Sequence, residues 1–409
     1  MTQRTLITAP RLFDGHTTSS QRYVIVEDNV IADVGAIADL GANAADTFDQ
    51  TLALDADTTL LPGLINMHTH VSFSSSGDVF GDQIAESDAT KMIRVVENLH
   101  AALDVGITTI RDCGTWPHLA IPARDAIEQG LLRGPRMITS GAITTTGGHC
   151  WFCATEADSE AEIRKAVRAH VKDGVDFIKL FATGGNTTPG SNSLVAQYTG
   201  DEMCAATEEA RKAGRRSAAH AHAIDGVRNS IKARVTTIEH CSFQSSDGIG
   251  WDQDMVSEIV DAGIFVCPTI FRGFAKIAAD PAYVLNAAEQ AYMARREQRF
   301  HLTHQLAERG VKLVSGNDAG VGHCHITDFP GDLVETVTKC DMSPVAVLKS
   351  ATSVAAEALG RGDIGVIDKA HAADLLVVQG DVTQDIRAIE QPQIIMARGR
   401  VQRMDALHH

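Results

Sequence analysis

A chain of 409 residues, 44% hydrophobic and 22% charged, has the composition of a globular protein long enough for one large α/β domain plus a smaller one. Its formal net charge of -16, with no run of Lys and Arg, argues against a phosphate-backbone partner, so no nucleic acid is expected. No apolar stretch approaches the ~20 residues of a membrane helix and no signal peptide is read at the start, so no membrane partner is expected either.

The first part reads as short strands with polar turns: "RTLITAPRLFDG", "RYVIVEDNVIADVG" and "TLALDADTTLLPG". From residue 63 to about 360, β-rich runs alternate with helix-period segments, the signature of βα repeats and a parallel sheet. Eight candidate strands follow in order: "LINMHTH", "ITTIRDCG", "RMITSG", "DFIKLFATGG", "RRSAAHAHA", "TTIEHCSF", "IFVCPTI" and "KLVSGNDAG". Eight such strands close into a distorted (β/α)8 TIM barrel whose chemistry sits at the carboxyl ends of the strands. Between strands four and five, "TGDEMCAATEEARKAG" opens with Thr199 and Glu202 in capping-box spacing and stops at Gly214, which predicts a helix. The tail, "GDIGVIDKAHAADLLVVQGD" and "PQIIMARGRVQRM", again reads as strands. The two flanking parts are each too short to bury a core, so residues 1–62 and 363–407 are expected to form one small β-sandwich domain beside a barrel of 63–362.

Side chains alternate faces along a strand, so His68 and His70 point the same way. Further donors stand at the ends of other strands: His220 on strand five, His240 on strand six and Asp318 on strand eight. Each alone has an ordinary explanation, but four histidines and an aspartate on one rim are hard to assign separately to such roles. Neutral imidazoles and a carboxylate suit Zn2+, with Mn2+, Co2+ or Fe2+ open to the same donors. Lys179 is the unusual member, because an ammonium in an apolar strand is expensive unless paired or neutralised. Burial and nearby cations depress an amine's pKa, and a neutral amine captures carbon dioxide as a carbamate able to bridge two metals. A lysine reaching a carboxylate across the barrel, or a Schiff-base lysine, is the alternative.

These residues resemble the amidohydrolase superfamily, specifically its binuclear members with a carboxylated lysine. "TTTGGHCWF", "GVDFIKLFATGG", "AAHAHAIDGVRNSI" and "TTIEHCSF" look like the branch holding Xaa-Pro dipeptidase-like, Xaa-Arg/Lys carboxypeptidase, imidazolonepropionase-like and ochratoxin-hydrolysing enzymes. The resemblance implies two divalent metal ions: one held by His68, His70 and Asp318, the other by His220 and His240, bridged by the carbamate on Lys179. The two metals share and acidify a water that attacks an amide carbonyl, with Asp318 as proton shuttle. His149, in the loop after strand three, would reach the substrate or the developing oxyanion. His222 offers a second donor on strand five, but spacing favours His220 as ligand and leaves His222 as a substrate contact; His325, and His323 beside it, would line the pocket.

Arg228 fits a helix-end contact better than a carboxylate clamp, Arg111 and Asp112 an ion pair at the rim, and Gly184 and Gly185 a bend close to the site. Eight cysteines with one close pair, Cys150 and Cys153, fit a reducing cytoplasm, the pair lining a loop. The expected substrate is a dipeptide or N-acyl amino acid. Cyclic amides, carbamates or ureas, xenobiotics included, are the alternative, ahead of a deaminase or a non-catalytic scaffold. A homo-oligomer is expected from the family resemblance.

Overall fold

The computed structural model describes residues 3–41 and 44–404, so the outermost ends of the expected β-domain (1–2 and 405–407) lie outside the described residues. Two sheets carry the molecule. One joins strands from both termini in a single hydrogen-bonded array: Arg4–Phe13, Thr18–Glu27, Val30–Ala36, Gln50–Ala53 and Thr58–Pro62 with Leu375–Gln379, Pro392–Ala397 and Arg400–Met404. Alternation explains its double packing. Leu375 and Val377 face a core shared with Ile7, Leu12, Val24 and Leu60, while Leu376 and Val378 turn to a second core with Leu64, Leu99 and Ile107 of the barrel.

The second sheet is the barrel wall. Parallel strands Leu64–Thr69, Ile107–Asp112, Arg136–Thr144, Phe177–Phe181, Arg216–Ala223, Thr237–Ser245 and Phe265–Cys267 pair in chain order, and helices separate most of them. The eighth expected strand is an extended segment without a regular ladder. Its Val314 N–H donates to Val266 O at 2.9 Å, while Met67 N–H donates to Ser315 O at 2.9 Å and Asp318 N–H to His68 O at 3.0 Å, so it still closes the ring. The cause is local: Asp318 has φ +63°, and at Gly316 a Cβ would lie 2.6 Å from the His68 nitrogen, so the chain is drawn against the first strand and bends away.

The helix predicted after strand four is Gly200–Lys212, with the Thr199/Glu202 capping box formed in both directions. Among the described residues no helix is long and apolar enough to cross a membrane.

Candidate metal centre

Strand periodicity delivers most of the rim. Lys179 is fully buried, and its neighbours in register are Ala218 and Ala142, whose small side chains leave room around the amine. His68 and His70 both bring Nε2 to 3.2 Å from Asp318 Oδ1. His220, His222 and His240 form a second group whose ligand atoms lie within 4.8 Å of one another, and His68, His240 and Asp318 form another. The His149 ring centre lies 4.7 Å from that of His220, with the two planes tilted by 41°. All of these residues line one cavity of about 460 Å3 at the carboxyl ends of the strands.

The outer nitrogen of each imidazole shows which nitrogen faces inward. His70 Nδ1 lies 2.6 Å from Gly114 O, and His220 Nε2 3.1 Å from Gly184 O. His68 Nδ1 lies 2.8 Å from Glu239 Oε2. His240 Nδ1 meets Thr269 Oγ1 at 2.7 Å, and that hydroxyl donates its own hydrogen to Pro268 O. A carbonyl, a carboxylate or a committed hydroxyl can only accept, so each of these nitrogens carries a proton, and in the neutral imidazole the other nitrogen keeps its lone pair. His222 differs: its Nδ1 meets Ser242 Oγ at 3.0 Å, a partner that can donate or accept. Of the two strand-five histidines, His220 therefore has its tautomer set by its partner and His222 does not.

Electrostatics keep most of the imidazoles neutral. Burial, then the neighbouring Lys179, lowers His68 to about 4. Burial and adjacent histidines hold His220 and His240 well below the usual range, and burial with Arg299 lowers His222 to about 3. His70 is raised, because the Asp318 carboxylate outweighs its burial. Asp318 itself, though buried, is held low by His68 and His70. Among the described residues, three buried polar atoms of this cavity have no hydrogen-bond partner: Lys179 Nζ, Asp318 Oδ1 and His149 Nδ1. Such groups are costly in an empty protein interior and fit a site built around ions.

Two residues were not visible as site members in the sequence. Glu239 orients His68 and is itself gripped by Arg111, whose NH2 lies 2.5 Å from Glu239 Oε1 and whose Nε donates to Met67 O at 2.6 Å. Arg111 therefore pairs with Glu239 and not with Asp112 as expected. Asp112 instead accepts from Val71 N and Thr115 Oγ1, because adjacent residues of a strand face opposite ways. Glu239 and His240 both reach His68 despite being adjacent, since His240 and Cys241 adopt left-handed backbone (φ +65° and +44°) that breaks the alternation.

His325 is corrected too: it is exposed at the entrance to a short helical turn and does not line the cavity, whereas His323 does, 3.2 Å from Glu289. Gly185 is required by proximity, since a Cβ there would sit 2.3 Å from His149 Nε2. Arg228 pairs with Asp225 on its own helix, and Cys150 and Cys153 are buried, with Cys150 on the cavity wall.

Comparison with known proteins places the chain in a family. The amidohydrolase family model matches residues 59–401, and the chain belongs to that family. Ochratoxinase of Aspergillus niger is 24% identical over 403 residues, covering 91% of this chain and 80% of its own. The crystal structure of that enzyme superposes with a TM-score of 0.85 at 22% identity, covering 98% of this chain and 96% of its own. A Xaa-Pro dipeptidase solved with methionine in its active site gives 0.86 at 27% identity, with 98% and 100% covered. Membership supports a hydrolase acting on carbon–nitrogen bonds, in a family that generally uses divalent metals.

Proposed function

We propose that this chain is a binuclear metal-dependent amidohydrolase that cleaves the amide bond of a dipeptide or an N-acyl amino acid. The observation that carries the reading is the convergence of four imidazole lone pairs, the Asp318 carboxylate and the unpartnered Lys179 amine on one cavity. His68, His70 and Asp318 would hold one divalent cation and His220 and His240 a second, with Lys179 as its carbamate between them; Zn2+ suits these donors. Among the described residues no carboxylate pairs with Lys179, which favours the carbamate over a structural ion pair. Bound there, two such cations supply Lewis acidity toward a carbonyl and lower the pKa of water.

The chain's own residues do the rest. Asp318, on the cavity wall between His68 and His70, takes the proton of the attacking water and delivers it to the leaving nitrogen. His149, packed against His220 and Phe181, directs its unpartnered Nδ1 to the substrate oxygen as charge develops there. His222 on the same wall is placed to touch the substrate. The dipeptide and N-acyl amino acid class is favoured over neutral amides by the methionine seen in the related dipeptidase's active site.

Incubating Zn2+-loaded protein with pooled dipeptides and N-acyl amino acids should release particular amino acids. Turnover only of cyclic amides, carbamates or ureas would replace this substrate class with the alternative.

A further inference from the structure

Resting on the proposed amide-hydrolase reading, we infer that Arg295, backed by Arg299, receives the carboxylate of the amino acid that the reaction releases. Both arginines lie one turn apart on the helix Ala287–Glu308, and both line the cavity that holds the histidines. Neither has a carboxylate within ion-pair distance among the described residues, although acidic residues outnumber basic ones by 52 to 36. Arg296, next to Arg295 in the chain, turns away from them to pair with Glu335.

Among the described residues, the hydrogen bonds of the two arginines all go to neutral acceptors. Arg299, buried, donates to Pro268 O at 2.6 Å and to Thr269 Oγ1 at 3.2 Å, and its guanidinium lies 5.5 Å from the Tyr292 ring centre. Arg295, half-buried, donates Nε to Ala291 O at 3.1 Å and NH1 to Gln244 Oε1 at 3.3 Å. The acidic groups on the same cavity are committed elsewhere. Asp318 faces His68 and His70, Glu289 accepts from Tyr283 and faces His323, and Asp78 accepts from Gly81 N at its helix start.

Two uncompensated guanidinium charges on the wall of a site for amide cleavage call for an anion, and a planar fork matches a carboxylate. Arg299 is locked by the backbone and fixes the local charge. Arg295, nearer solvent and held by a 3.3 Å bond to an amide oxygen, is the one free to grip. A dipeptide or N-acyl amino acid carries such a carboxylate on its leaving side; a urea or cyclic amide need not.

The test compares Zn2+-loaded wild type with Arg295→Gln and Arg295→Lys on pooled N-acetyl-L-amino acids and on the matched N-acetyl-L-amino acid amides. Wild type should prefer the acids. Arg295→Gln should raise KM for the acids about 10²-fold with kcat changed far less, leave the amides unaffected, and keep metal content and thermal midpoint; Arg295→Lys should recover part of the loss. If wild type prefers the acids and Arg295→Gln keeps that preference, this assignment is overturned and the proposed function stands. If wild type turns over neither set, the reading beneath it falls as well.

Discussion

Lys179 concentrates the chemistry of the site in one atom: a fully buried amine with no hydrogen-bond partner beside four imidazoles. Lys179→Ala should lose metal and activity together, with partial rescue by short carboxylic acids; full activity in the unrescued variant would remove the bridging role. Asp318→Asn should keep the fold, read by circular dichroism, while turnover drops by roughly 10²–10⁴-fold, the span of a lost proton-transfer group. His149→Ala should retain its metals and lose turnover, so a fall in metal content would make His149 a ligand. Lys179 and Asp318 were legible in the sequence because they stand on expected strands whose periodicity is simple, as His68 and His70 share a face whatever the neighbours are, whereas His149, in a loop, was expected only from the family resemblance. His325 was misplaced because a loop has no such period, and only the fold shows that His323, two residues earlier, faces the cavity.

At the scale of elements, the barrel wall acts as a brace for its rim histidines. Arg111 on the second strand holds Glu239 on the sixth, and Glu239 holds His68 on the first. Glu239→Gln leaves the buried guanidinium uncompensated, which should cost about 3–5 kcal/mol of stability by urea denaturation and weaken metal binding about 10–100-fold. Unchanged stability with unchanged metal affinity would show that the brace is dispensable. This brace was not legible in the sequence. Adjacent Glu239 and His240 read as opposite-facing residues, and the left-handed turn that brings both to His68 follows from tertiary packing and not from residue type. The same holds for the eighth strand, whose extended course between Phe265–Cys267 and the first strand is set by closure of the ring.

For the whole molecule, the sheet built from both termini and the barrel share a core through the alternating Leu375–Val378 run; the sequence implied the joining of its two strand-rich ends but not this shared core. The site also couples to global stability. In metal-free protein, His68, His220, His222 and His240 have folded pKa values below the unfolded 6.5, so the unfolded chain binds more protons as pH falls below about 6.5, through about 4 for His68 and about 3 for His222. Stability is therefore full above that window and lost on acidification, with His68 alone contributing about 3 kcal/mol at 1.36 kcal/mol per unit. His70, raised, works in the opposite direction but is one against four. Urea midpoints of chelator-treated protein should fall between pH 7 and pH 4.5, and a flat profile would contradict the buried, neutral histidines.

The central claim is that the rim histidines, Asp318 and Lys179 hold two metals. Its most direct test is the metal content of wild-type protein prepared with bicarbonate and Zn2+, measured by elemental analysis after exhaustive dialysis. About two ions per chain is the predicted result, and no bound metal would contradict the account.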